Sequence, residues 1–160
     1  MACCLLHHDF QPGPRLDALQ DPELSAGAVV SFVGRVRGHE PGQTIDGLYL
    51  EHYPGMTETA LQALETEART RWPLLAVDIA HRVGWVGAGQ TIVFVGVASP
   101  HRQAAFEAAS YLMDQLKTRV PFWKRERRQG VDHWLDARDS DLDQAARWQT
   151  TASDAGTETA

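Results

Sequence analysis

A chain of 160 residues, 43% hydrophobic and 22% charged, is long enough to bury one real core and has the composition of an ordinary globular domain. No run of 18 apolar residues occurs, and the apolar start Ala2 to Leu6 has neither the length nor the basic flank of a signal peptide, so no membrane association is expected and the cytoplasm is the expected compartment. The net charge of −6 argues against a general nucleic-acid binder.

The only two cysteines, Cys3 and Cys4, are adjacent, which excludes a disulfide framework and argues against a structural zinc site, since zinc usually takes four closely spaced Cys or His ligands. Leu16 to Leu24 has the character of a short helix limited by Pro22. Gly27 to Arg37 reads as a strand rich in valine, with Gly34 marking a bulge. Gly38 to Thr44 carries Pro41-Gly42 and reads as a turn. Ile45 to Tyr53 alternates as a second strand, with Leu48, Leu50 and His52 on one face, and a hairpin between these two strands is expected.

Thr57 to Arg71 places Leu61, Leu64 and Ala68 at helical spacing, and Pro73 stops that helix. Leu75 to Val83 alternates as a half-buried strand, whereas Gln90 to Ala98 is almost continuously apolar and reads as a central strand. Gln103 to Thr118 predicts a second long helix with Phe106, Ala109, Met113 and Leu116 inward. Two short strands follow at Phe122–Arg127 and 131–137, then an acidic amphipathic helix from Asp139 to Trp148. The expected class is α+β, mainly antiparallel, with two long helices and a C-terminal one. Residues 1–149 are expected to form one domain, and 150–160, small and polar, a disordered tail.

Three places hold groups suited to chemistry. The first is Ser99-Pro100-His101-Arg102, where a strand hands over to a helix. Ser99 suits an N-cap and Pro100 the first helical position. That sets His101 and Arg102 in the first turn, where cations are unfavourable unless an anion lies between them and the free N–H groups. The same spacing is compatible with a solvated Arg102 and a His101 bonded to a local carbonyl.

The second is Lys117 to Arg128, with six cations (Lys117, Arg119, Lys124, Arg125, Arg127 and Arg128) against Glu126, leaving −11 for the rest of the chain. Such concentration on an acidic protein suits a specific anion, although a solvated basic edge strand also fits. Period two puts Phe122, Lys124 and Glu126 on one face of the strand and Trp123, Arg125 and Arg127 on the other. A lysine among aromatic residues in a pocket has a lowered pKa and can move protons. The third is Gly34 to His39, where Arg35 and Arg37 point the same way from a strand end. No phosphate loop, dinucleotide fingerprint, Cys-x-x-Cys or metalloprotease motif is present, and no metal ligand set is spaced along the chain.

Three stretches together, Leu50-Glu51-His52-Tyr53-Pro54-Gly55-Met56, Val95-Gly96-Val97-Ala98-Ser99-Pro100-His101-Arg102 and Leu116-Lys117-Thr118-Arg119-Val120-Pro121-Phe122-Trp123-Lys124-Arg125-Glu126, resemble the large, catalytic subunit family of molybdopterin synthase over about Gly27 to Trp148. The resemblance implies an α/β hammerhead-type fold and a central homodimer. Each protomer would bind a small ubiquitin-like carrier subunit, making a heterotetramer. The carrier's C-terminal glycine thiocarboxylate would give its sulfur, twice per product, to cyclic pyranopterin monophosphate, forming the dithiolene of molybdopterin. No cofactor, metal or catalytic cysteine is then required.

Carried over by position, Lys117 and Lys124 match the lysines of the sulfur-transfer centre. His101 and Arg102 match an anion-binding pair. Arg37 matches an arginine at the loop end, and Arg35-Val36 and Arg125-Glu126 match substrate-pocket segments. Arg138 matches an arginine that reaches into the neighbouring protomer's pocket. Arg35 stands where many relatives carry lysine, and Cys3 and Cys4 lie outside the pattern. The competing expectation is a nucleotide or single-stranded nucleic-acid module using residues 117–128, with Phe122 and Trp123 as stacking platforms.

Overall fold

The computed structural model describes residues 3–20, 25–136 and 138–149. The elements run in chain order as β1 (Cys4–Leu6), α1 (Pro12–Asp17), β2 (Ala28–Arg35), β3 (His39–Glu40), β4 (Gln43–Thr44), β5 (Gly47–His52) and α2 (Met56–Arg71). They continue as β6 (Ala76–Arg82), β7 (Gly84–Gly87), β8 (Thr91–Ser99), α3 (Arg102–Arg119), β9 (Phe122–Arg128), β10 (Val131–Leu135) and α4 (Asp139–Ala146). The class is α+β. Two four-stranded sheets have the orders β1-β6-β8-β2 and β10-β9-β5-β7, and β3-β4 is a separate ribbon. Among the described residues only the β1–β6 pairing is parallel.

The apolar run of β8 lies where its composition demands, between β6 and β2 with both faces covered. One face meets α2 and α3 through Leu61, Leu64, Val95, Val97, Leu112 and Leu116. The other buries Phe94 against Leu19, which follows α1, and Ala80 of β6. Gly96 is required there, because a Cβ would lie 2.4 Å from Leu19 Cδ1. Asp78, also buried on that side, takes the Arg15 guanidinium of α1 at 2.8 Å.

Several expectations are corrected. The anticipated hairpin of the second and third regions does not form. β2 ladders along β8 from Ala28↔Ser99 to Arg35↔Thr91, while β5 sits between β7 and β9 in the other sheet. The chain leaves β2 at the expected bulge, between Gly34 and Arg35, and crosses through the β3–β4 ribbon with Gly42 at φ 78°. The first helix is Pro12–Asp17 rather than Leu16 to Leu24, and residues 21–24 lie outside the described residues. β1 and β7, three and four residues long, were not anticipated. On α3 the inward stripe is Ala105, Ala108, Leu112 and Leu116, and Phe106 is 61% exposed. The expected tail at 150–160 also lies outside the described residues.

Candidate active site

A cleft of ≈ 400 Å³ opens where the two sheets meet the end of α3. Four pieces of chain build it. The end of β2 and the following turn bring Arg35, Val36 and Arg37, β9 brings Phe122, Lys124, Glu126 and Arg128, and the last turns of α3 bring Met113 and Lys117. The segment before and into α4 brings Asp136, Arg138 and Asp141, while His81 of β6 forms part of the floor. The wall carries six Lys/Arg cations against the carboxylates of Glu40, Glu126, Asp136 and Asp141. A surplus of positive charge in a concave site suits an anionic ligand.

The alternation read from β9 accounts for its contribution. Phe122, Lys124, Glu126 and Arg128 all face the cleft, and Glu126 is buried and ion-paired with Arg128. The register Leu50↔Lys124 and Leu48↔Glu126 fixes this face, because a one-residue slip would turn both groups outward. Lys124 is largely enclosed. Burial first, then the charges of Lys117 and Arg138, push its pKa below the ordinary lysine value against the opposing pull of Asp141. Lys117 is half exposed at the mouth and lies 3.4 Å from Asp141 Oδ1.

At the β2 end, the bulge is pinned by Val36 N donating to Gln90 O at 3.0 Å and Gly89 N donating to Val36 O at 2.7 Å. Val36 is thereby buried between two exposed arginines. Arg37 pairs with Glu40 at 2.8 Å. Arg119, one helical turn from the cleft, makes two 2.7 Å bonds to Glu67 of α2, fixing the end of α3.

Three expected site residues are placed elsewhere. Arg125 alternates onto the opposite face of β9, where it meets Glu51 at 3.7 Å and Asp132 at 3.4 Å and lies over the Tyr49 ring at 4.7 Å. His101 and Arg102 stand at the other end of α3. Ser99 ends β8 and donates from Oγ to Pro73 O at 3.1 Å, so the N-cap is His101, without a side-chain cap bond, and Arg102 opens the helix. Fifteen residues of helix separate Arg102 from Lys117, about 22 Å at 1.5 Å per residue. Arg138 lines this chain's own cleft.

Two signals in the sequence went unread. His81 shares a face of the alternating strand with Val77 and Ile79, and a histidine in an otherwise apolar stripe marks a polar opening. The chain also holds only two lysines, Lys117 and Lys124, beside thirteen arginines, and both lie on the one cleft. The basic segment is no phosphate track, since Trp123 and Arg125 face away from the lysines and the outward arginines are paired to Glu51 and Asp132. Among the described residues no cluster of three or more His, Cys, Asp or Glu could hold a metal, and no helix is long and apolar enough to cross a membrane.

The model of the MoaE protein family matches residues 5–119. The molybdopterin synthase catalytic subunit of Pseudomonas aeruginosa is 51% identical over 140 residues, covering 88% of this chain and 93% of that protein. The Escherichia coli subunit of the same name is 56% identical over 122 residues, 76% of this chain and 81% of that one. Among solved structures, molybdopterin cofactor biosynthesis protein E from Burkholderia multivorans superposes with a TM-score of 0.77 at 41% identity, covering 93% of this chain and 97% of that chain. Molybdopterin synthase from Staphylococcus aureus gives 0.76 at 30% identity, covering 82% and 95%.

Proposed function

The chain belongs to the MoaE protein family, and we propose on that premise that it acts as the catalytic subunit of a molybdopterin synthase, in molybdenum cofactor biosynthesis, through the Lys117–Lys124 cleft. The carrying observation is that both lysines of the chain stand on one net cationic cleft. Both reactants suit it. A phosphorylated pterin and a C-terminal thiocarboxylate are anions, and an extended carrier tail fits a cleft bordered by the ends of strands.

The thiocarboxylate sulfur attacks a side-chain carbon of cyclic pyranopterin monophosphate, forming a carbon–sulfur bond while an oxygen leaves that carbon. Hydrolysis of the resulting thioester leaves the thiol on the pterin and a carboxylate on the carrier, and a second carrier repeats the step. Lys124, with its lowered pKa, moves the proton to the departing oxygen. Lys117, at the mouth, exchanges Asp141 for the carrier's terminal carboxyl group. Arg35, Arg37, Arg128 and Arg138 hold the phosphate and pterin, with Glu126 fixing Arg128 and Val36 fixing the arginine pair. The sulfur comes from the carrier, so the chain needs no cofactor of its own.

His101 and Arg102 are too far from this cleft to serve it within one protomer. A homodimer that brings the start of α3 of one protomer to the cleft of the other would complete the site. The edge strand β2 exposes Val29 on one face and Phe32 on the other, and α3 exposes Phe106, apolar side chains of the kind a second copy covers. Residues 1–149 act in this reading as one catalytic domain in the cytoplasm. The test is reconstitution from this protein, thiocarboxylated carrier and precursor. Dithiolene product is expected, and its absence with all three components intact rejects the assignment.

A further inference from the structure

We propose that His81 is the positioning residue of the lysine pair: a neutral imidazole that offers its Nε2 lone pair to the ammonium of Lys124 across the floor of the cleft. The proposal rests on the lysine cleft being the working site, and adds to it a residue outside the motifs that suggested that site.

Three observations carry it. The His81 ring is buried, and it lies flat on Phe122 with centroids 4.0 Å apart and an interplanar angle of 17°. Phe122 and Lys124 are two residues apart on the same face of β9, so the stacked imidazole and the lysine share one wall. Nδ1 lies 2.7 Å from the Arg82 carbonyl oxygen, which accepts only from a protonated nitrogen. The proton is therefore on Nδ1, and Nε2 is left as a bare acceptor toward the cleft. Among the described residues neither Nε2 nor Lys124 Nζ has a protein hydrogen-bond partner, and they are not bonded to each other; His81 and Lys124 line one cavity, across which the flexible lysine chain can bring its ammonium to Nε2.

The surroundings explain why the acceptor must be neutral. Lys124 is faced by Lys117 from α3, Arg138 from the segment before α4, Asp141 from α4, and Glu126 from its own strand, already engaged by Arg128. A carboxylate at position 81 would fix Lys124 as an ammonium, and a charged imidazole would repel it. Burial, opposed by the bond to Arg82 and reinforced by the charge on Lys124, holds His81 down to about 3, so it stays uncharged across the working range. A neutral acceptor anchors Nζ in place while leaving the amine free to give up its proton.

Two substitutions separate this role from a structural one. Glutamine puts its amide near Nε2, keeping an acceptor toward the cleft and losing the bond to Arg82, whereas asparagine reaches only the Nδ1 position. With two lysines in the chain, lysine-selective 13C/15N labelling gives two side-chain signals, assigned with Lys117→Arg, and Lys124 is titrated in the full ligand-free protein. His81→Asn should lower the Lys124 pKa by about one unit, the size of one lost hydrogen bond, and His81→Gln should leave it near wild type. In the reconstituted reaction His81→Asn should then lower kcat with little change in precursor affinity. A Lys124 that titrates alike in all three proteins, or a His81→Gln protein as shifted as His81→Asn, overturns the proposal. Should His81→Asn not fold, histidine 15N spectra of wild type and Lys124→Met decide. A moved Nε2 resonance supports the contact, and an unmoved one rejects it. The titrations need no turnover, so they stand apart from success or failure of the synthase assignment.

Discussion

At the scale of single residues, the two lysines differ in ways that their spacing does not reveal. Lys124 has a depressed pKa because its charge is enclosed and faces other cations, whereas Lys117 keeps solvent and an acidic neighbour. Lys124→Ala and Lys117→Ala should each cost roughly two to four orders of magnitude in turnover, as loss of an acid–base or charge-stabilising group does. The carrier complex should remain detectable by gel filtration, since one charge among many contacts rarely sets affinity. Turnover within a few-fold of wild type in both variants would put the centre elsewhere. Folding stability should also report His81. Its ordinary pKa of 6.5 falls to about 3 on folding, so the unfolded chain binds the extra proton between those values. Stability is complete above about pH 6.5 and falls with pH toward 3, by up to on the order of 5 kcal/mol. Denaturant melts of wild type should show that slope, and His81→Gln should flatten it. Parallel slopes would mean that the imidazole is solvated.

At the scale of elements, β1 turns the cysteines from a loose end into part of a sheet. Cys4 pairs with Ala80 of β6, and its sulfur accepts from Arg15 at 3.1 Å. Cys3 packs on the main core near Glu65, and burial and then that carboxylate push its thiol up to about 12, so it stays protonated. A Cys3→Ser/Cys4→Ser protein should keep normal kcat and lose a few degrees of Tm, whereas a large loss of turnover with the fold intact would point to a persulfide on this chain. The same elements show what the sequence could disclose. Period two in Phe122–Arg127 puts Lys124 and Glu126 on one face, as the structure does, because that face is turned inward and alternation follows burial. It also turns Arg125 onto the opposite face of β9, toward Glu51 and Asp132. Pairing partners were less legible. β2 and β5 both alternate and are close in sequence, yet β8 has two buried flanks to fill and takes β2. The start of α3 was misplaced by two residues because Ser99, a good cap in isolation, spends its hydroxyl on Pro73 O. Short β1 and β7 are too brief for any periodicity to register.

At the scale of the whole molecule, α3 places two cationic groups at opposite ends of a rigid rod, about 22 Å apart, and one ligand cannot touch both within a protomer. A twofold arrangement resolves this, because each end of α3 then serves a different cleft of the same dimer. Arg102→Ala should weaken precursor binding by about 1.5–3 kcal/mol, one to two orders of magnitude, since it removes a guanidinium beside free backbone N–H groups of the helix start. The ligand-free Tm should not fall, because a cation leaves the positive end of a helix dipole. Mixing Arg102→Ala with Lys117→Ala then tests the geometry itself. In the mixed dimer, one cleft joins both substitutions and the other joins neither, so the second is intact. Random reassociation makes half the dimers mixed, so about one quarter of wild-type sites should return. Assayed at precursor concentrations well below the Kd of Arg102→Ala, either variant alone is nearly silent and the mixture regains activity in that proportion. If each cleft were instead completed by its own chain, every site in the mixture would carry one substitution, and no activity would return after subunit exchange has been verified by differential tagging.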